Sequence, residues 1–303
     1  MGSSIIGLGM SGFLGPQILS KYPEIISVGR TKPVTAKYHY KCDNLDNLEE
    51  VLKQIDFDKV IMMIESSNHH MLNKGGTLAI EKNVLPLKKV FQCMLKFDIK
   101  KMVSFSTILL YDKELMQLPV NENTPLNPYQ NDYVFSKYLG EELAYYYKEV
   151  PNIVVRLTNI YGPTTVLGRP DIVNQLIEGL IFNKKASVFN TEVKRDFIYT
   201  PDAADAIISL LDSYFEGVIN VGTGQIVSIR DIVTILEKLS GIKIENLHKQ
   251  ATGHLEYVSD ISLLNRLINF TPKYSLEQGL TETYNKMKEM YENSSNGRLG
   301  TSW

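Results

Sequence analysis

The chain is expected to be an α/β protein with a parallel sheet wound by helices, and three observations carry that expectation. The first half alternates short β-rich runs with helically periodic ones. A glycine-rich turn, Gly7-Leu8-Gly9-Met10-Ser11-Gly12-Phe13-Leu14-Gly15, falls between the first such run and the next helical stretch. The length of 303 residues exceeds what one hydrophobic core usually fills, so a smaller second unit is expected beside the sheet.

Taken in order, Ser4-Ile5-Ile6-Gly7 is a short first strand and Ile25-Ile26-Ser27-Val28 a second. Tyr38-His39-Tyr40-Lys41-Cys42 reads as a third, Lys59 to Ile64 as a fourth and Lys101 to Phe105 as a fifth, and strand character recurs at Ile153 to Leu157. Helical periodicity fills 45–55 and 84–97, with Leu48, Val51, Leu52 and Ile55 on one stripe. After Pro163 the rhythm loosens into helical stretches near 171–182, 201–214, 228–239 and 276–292. The expected organisation is a dinucleotide-binding unit over 1–164, rejoined by 196–225, and a substrate unit from 165–195 and 226–292. The polar tail 293–303 is expected to be disordered.

Composition narrows the class. Hydrophobic residues make up 44% and charged residues 22%, as in soluble globular proteins. A net charge of −2 without a long basic run argues against nucleic-acid binding. Two cysteines, Cys42 and Cys93, suit a reducing cytoplasm. No apolar run approaches the roughly 18 residues of a membrane span. His69-His70 has no ligand partner at matching spacing, so a solvated loop is expected there and no metal.

Tyr133 and Lys137 stand four residues apart on one face of an expected helix. A held ammonium favours the phenolate and is expected to lower the tyrosine from its reference pKa of about 10, fitting it for acid–base work. The glycine turn lets the backbone approach a pyrophosphate seated on a helix N-terminus. At the end of the second strand, where an acidic residue would accept the ribose 2′-OH of NAD, the chain has Arg30, followed by Thr31 and Lys32. A guanidinium suits a 2′-phosphate, so NADP(H) is the expected cofactor, with NAD(H) possible.

These residues resemble the extended short-chain dehydrogenase/reductase family, in particular its nucleotide-sugar epimerases, dehydratases and reductases. Gly9, Gly12 and Gly15, with Phe13-Leu14 between the last two, look like the family's glycine motif, and Asp43-Asn44 sits where an adenine contact follows the third strand. Ser106-Thr107 followed by Tyr111 looks like the catalytic serine/threonine segment, and 122–128 leads into Tyr133 and Lys137 as the family's loop does. Asn83 matches a position that helps order the active site. Asn159, within Arg156 to Pro163, and Arg195, within Arg195 to Tyr199, are similar to residues that bind the substrate diphosphate. Asn220 to Gly224, Asp260, Pro272 and Gly279 complete the order.

The resemblance implies a Rossmann-type doubly wound sheet, a smaller discontinuous C-terminal substrate domain, a nucleotide-diphosphate sugar in the cleft, and a homodimer packed through the helices near Val84 and Tyr133. Tyr145-Tyr146-Tyr147 would suit that interface or the core. It implies hydride transfer with Tyr133 as proton carrier, Lys137 holding the nicotinamide ribose and Thr107 bonding the reacting oxygen.

Departures from the family pattern bear on the reaction. Ile108-Leu109 replaces the dehydratases' Asp-Glu pair, which disfavours dehydration, and Arg30 stands against the tightly bound NAD of epimerases. The leading expectation is therefore NADPH-dependent reduction of a nucleotide-linked 4-keto (6-deoxy) sugar. C4 epimerisation of a nucleotide hexose with recycled NAD(P) is the alternative, and a non-catalytic cofactor-binding scaffold a third. Glu65 ends the fourth strand where small residues are usual, either contacting substrate or capping the strand. Residues 251–254 lack the arginine that the resemblance places there, with Lys249 or Gln250 as the candidate replacements.

Overall fold

The computed structural model describes residues 4–164, 166–250 and 255–295. The segment 251–254 and the tail from 296 onward lie outside the described residues. Among the described residues the strands run in chain order as β1 (Ile5–Leu8), β2 (Ile26–Gly29), β3 (Tyr38–Lys41), β4 (Lys59–Met62), β5 (Lys101–Thr107), β6 (Asn152–Leu157), β7 (Asn159–Tyr161), β8 (Ala186–Val188), β9 (Lys194–Arg195), β10 (Phe197–Tyr199), β11 (Gly217–Val221), β12 (Val227–Ser228) and β13 (Ile244–Asn246). The helices are α1 (Leu14–Lys21), α2 (Leu48–Leu52), α3 (His69–Leu72), α4 (Leu85–Met94), α5 (Asp132–Tyr146), α6 (Ile172–Glu178), α7 (Thr200–Leu211), α8 (Ile229–Ser240), α9 (Ser262–Ile268) and α10 (Leu276–Ser295).

Seven strands form one parallel sheet in the order β11-β6-β5-β4-β1-β2-β3. The chain winds outward from β1 in one direction and from β4 in the other, so the loops leaving these neighbouring strands part and open a crevice at their C-terminal ends. On one face, Leu14 and Ile18 of α1 and Ala203, Ile207 and Leu210 of α7 pack over Ile61, Val103, Val155 and Ile219. On the other, Leu48 and Leu52 of α2 and Val90, Phe91 and Met94 of α4 pack over Ile6, Leu8, Val60 and Met102. Both faces being covered, β5 is buried along its whole length and reads as a continuous run, not an alternating one.

A separate cluster joins α6, α8 and α10 through Val173, Leu176, Ile232, Leu236, Leu280 and Met287, with Phe197 and Tyr199 of β10 beneath it. Helix α8 starts on a capping box between Ser228 and Asp231 and ends at left-handed Gly241. The pairs β8 with β13, β9 with β12 and β7 with β10 edge this region.

Several element boundaries differ from expectation. The expected helix over 45–55 begins as a 3₁₀ turn, Leu45–Asn47, capped by the Asn44 side chain, and α2 ends at Leu52. Before α4, Ile80–Val84 forms a π turn in which the Leu85 N–H reaches the Ile80 carbonyl, directly ahead of Pro86, which has no N–H to offer. Helix α10 runs through Ser295, past the expected end at 292. Among the described residues no helix is long and apolar enough to cross a membrane, and no group of three or more His, Cys, Asp or Glu is placed to hold a metal.

Candidate active site

The glycine turn leads from β1 into α1 beside the crevice. Gly9 has φ +77°, and a Cβ there would stand 2.9 Å from the Ile64 backbone nitrogen. At Gly15 a Cβ would stand 2.2 Å from the Met10 carbonyl oxygen, so the turn folds tightly under the helix. Gly12 differs, because a Cβ there meets nothing within 4 Å. Its missing side chain keeps open a space that the protein itself does not fill. Helix α1, which starts two residues on, has no side-chain cap and no acidic residue in its first turn, so no side chain of the turn competes for its first N–H groups. The cradle fits the pyrophosphate of a dinucleotide.

Arg30 and Lys32 are exposed just past the end of β2. Asp43 is exposed after β3 and paired with Lys41 at 2.9 Å, while the Asn44 amide turns back onto Asp46. The Phe13 ring is covered by the Arg169 guanidinium, 3.7 Å from its centroid, and Arg169 Nε donates to Asp171 at 2.9 Å. Nothing in the sequence pattern singled out Arg169, because the contact spans 156 positions of chain between the glycine turn and the loop before α6.

Thr107, Tyr133 and Lys137 converge from the end of β5 and the first turns of α5, all buried. Asn131 caps α5 by accepting from the Val134 N–H at 3.0 Å, and Asn73 accepts from the Tyr133 N–H at 2.9 Å. Lys137 Nζ lies 5.8 Å from the Tyr133 ring centroid and donates to the Phe105 carbonyl at 3.4 Å. It also forms an ion pair with Glu65 Oε2 at 2.5 Å. The two sequence readings of Glu65, a substrate contact or a cap on the strand end, did not include this ion pair.

The expectation that Lys137 brings the Tyr133 phenol below its ordinary value is corrected. Burial pushes the phenol up; Lys137 and the Thr107 hydroxyl pull it down, Glu65 works with burial, and the net direction is upward. The i, i+4 spacing showed the cation but neither the enclosure nor the counter-ion.

His69 departs from the solvated-loop expectation as well. Its ring is half-buried, 6.2 Å from the Tyr133 ring, and its pKa is lowered by burial first and then by His70 and the charge of Arg195. His70 is exposed. Asn83 is buried, accepts from the Ser66 N–H at 2.7 Å, and donates to the Ser66 carbonyl at 3.2 Å and Ser136 Oγ at 3.0 Å. Both amide hydrogens are committed within the protein, so Asn83 orders the loop after β4 against α5 and offers no donor to a cofactor.

Asn159 and Arg195 come together around Tyr257, a buried residue that the sequence pattern did not mark. Asn159 Nδ2 donates to the Tyr257 hydroxyl and to the Asp196 carbonyl, and the Arg195 guanidinium stands 5.7 Å from the Tyr257 ring centroid. Asp196 fixes this corner by accepting from Thr223 Oγ1 at 2.6 Å and from the backbone of Thr223, Gly224 and Ser259. Ile108 is buried with Tyr111, Val120 and Tyr257. The pair after Thr107 therefore supplies apolar packing and no acid or base.

Comparison with known proteins finds relatives in sequence and in fold. A UDP-glucuronate 4-epimerase of Thermodesulfobacterium geofontis is 29% identical over 269 residues, covering 84% of this chain and 80% of that protein. Among solved structures, the UDP-N-acetylglucosamine 4-epimerase of Methanobrevibacter ruminantium in complex with UDP-N-acetylmuramic acid superposes with a TM-score of 0.86 at 21% identity, covering 95% of this chain and 99% of that one. The UDP-glucuronic acid 4-epimerase of Bacillus cereus in complex with NAD gives 0.80 at 23% identity, covering 95% and 99%. The model of the NAD dependent epimerase/dehydratase family matches residues 6–222. By that match, and with its glycine cradle, its Thr107-Tyr133-Lys137 cluster and its seven-stranded parallel sheet, this chain belongs to the NAD dependent epimerase/dehydratase family.

Proposed function

We propose that the protein is a nucleotide-sugar 4-epimerase acting on a UDP-hexose. The observation that carries this is the convergence of Thr107, Tyr133 and Lys137 beside the glycine cradle, with aliphatic Ile108 and Leu109 where dehydration would need an acid and a base. The names of the relatives, three 4-epimerases of UDP-sugars, favour epimerisation over the reduction read from Arg30.

The chemistry that a nicotinamide dinucleotide would supply here, when bound, is reversible hydride transfer at C4 of the sugar. The glycine turn would hold the pyrophosphate and Lys137 the nicotinamide ribose. Tyr133 takes the proton from the C4 hydroxyl as a ketone forms and gives it back as the epimeric alcohol is made. Thr107 hydrogen-bonds that oxygen in both states. Arg195 binds the diphosphate as the charged partner, while Asn159, whose two amide hydrogens go to Tyr257 and Asp196, orders the corner beside it and is not itself a diphosphate donor. The two faces are equally served because the proton carrier stays at the oxygen while the ring turns over.

Arg30, with Lys32 beside it, supports the second reading, NADPH-dependent reduction of a 4-keto sugar. Incubating the purified protein with UDP-glucose or UDP-glucuronate, with no added cofactor or with NAD, and analysing the products separates the two. Interconversion at C4 without net change in cofactor is expected. Absence of interconversion, together with NADPH consumption on a 4-keto sugar, would overturn epimerisation in favour of reduction.

The same reading includes a homodimer through α4 and α5. Tyr147 is buried and stacks on Phe91 at 5.4 Å, whereas Leu85, Tyr145 and Tyr146 remain exposed at 47%, 80% and 73%. The aromatic cluster thus divides between core and surface, and its outer part supports an apolar interface. Light scattering should give twice the chain mass, and Tyr145→Glu should lower it. Cytoplasmic residence is part of the reading and is supported by two buried free thiols.

A further inference from the structure

After β4 the chain turns through Met63, Ile64 and Glu65 and brings the Glu65 carboxylate to Lys137 at 2.5 Å. The ammonium is 3% exposed and its partner 22%, so little water screens the pair. A lysine ammonium has three donors. Glu65 takes one and the Phe105 carbonyl a second, which leaves one for a group arriving beside Tyr133.

We propose that Glu65 is a positioning residue for the proton transfer, whose carboxylate fixes the Lys137 ammonium and offsets part of the charge that Tyr133 feels. The proposal deepens the epimerase reading and rests on Tyr133 as proton carrier. A cation stabilises a phenolate and an anion opposes it, and here the two members of one ion pair act with opposite sign on one buried phenol. Among the described residues, the other titratable or charged group facing Tyr133 is His69 on α3, which in turn feels His70 beside it and Arg195 on β9. None of them contacts Glu65, so they are common to wild type and to variants at position 65. The Glu65 carboxyl is itself raised by burial against the pull of Lys137.

Two measurements on the full chain test this. The first is the pH dependence of kcat/KM. The second is the near-ultraviolet titration of the Tyr133 phenolate, isolated by subtracting the same protein carrying Tyr133→Phe. Glu65→Gln removes the charge and keeps the shape, and should move both the acid limb and the phenolate titration to lower pH by about one unit or more. Glu65→Asp retracts the charge by one carbon and should move both in the same direction by less. If the glutamine variant does not fold, the aspartate variant decides by the same sign. An unmoved or upward titration overturns the proposal, even if activity falls, because a merely structural role would lower the rate without shifting the phenol. The titration needs no substrate, so failure to turn over any nucleotide sugar would defeat the epimerase reading and still leave the role of Glu65 decided.

Discussion

Asn83 and Ser136 meet at 3.0 Å, tying the π turn before α4 to the helix that carries Tyr133 and Lys137. Through its two bonds to Ser66, the same amide holds the residue next to Glu65. One buried side chain therefore sets the spacing between the loop after β4 and α5. Asn83→Ala should cost about 1–3 kcal/mol of unfolding free energy by stranding the Ser66 and Ser136 groups. Urea denaturation checks this, and a loss below a few tenths would show that water replaces the amide.

Tyr133→Phe retains the ring that packs with Leu72, Leu110 and Val134 and deletes only the hydroxyl. The fold should survive, while kcat falls by about 100- to 10,000-fold with little change in nucleotide-sugar affinity. Steady-state kinetics with calorimetric binding would detect a parallel loss of affinity, which would assign the hydroxyl to binding.

Arg156 and Glu141 form a two-point ion pair at 2.9 and 2.7 Å, and Ser106 adds a hydrogen bond to Glu141 at 2.6 Å. Both charged side chains are buried. Glu141→Ala leaves the guanidinium enclosed without its carboxylate and should destabilise by about 3–5 kcal/mol. Thermal or denaturant unfolding measures it; a change under about 1 kcal/mol would mean that the site admits water.

Asp205 joins α7 to α1 and to the chain before α10, accepting from Lys21 at 2.5 Å, Lys273 at 2.7 Å and the Tyr22 hydroxyl at 2.7 Å. Burial raises its carboxyl, but the bonds from Lys21, Lys273 and Tyr22 outweigh it and hold the pKa below the ordinary 3.8. Because the folded value is the lower one, the unfolded chain takes up the proton first as pH falls. The contribution is therefore complete above the unfolded pKa and lost on descending through the folded one. Asp205→Asn should cost about 1–2 kcal/mol at neutral pH and progressively less in acid, as unfolding curves across that range would show.

The glycine turn separates packing from ligand approach. Gly15→Ala drives a methyl into the Met10 carbonyl and should impair folding, whereas Gly12→Ala meets open space and should leave the melting temperature within a few degrees. The Gly12 variant should nevertheless lose dinucleotide affinity by tenfold or more, about 1.4 kcal/mol. Equal affinity in titration calorimetry would remove Gly12 from the cradle.

The sequence by itself determined the winding of the sheet, the glycine turn and the pairing of Tyr133 with Lys137, because each is written in local periodicity or in spacing along one helix. Its short strands β8, β9, β12 and β13 were not legible, since two or three residues cannot display an alternation. Only the tertiary structure decided that Glu65 pairs with Lys137, that His69 approaches Tyr133, that Tyr257 gathers Asn159 and Arg195, and that Arg169 covers Phe13. The direction of the Tyr133 pKa depended on the same step. Enclosure and distant charge are sums over neighbours remote in sequence, and the folded chain alone brings those neighbours within reach.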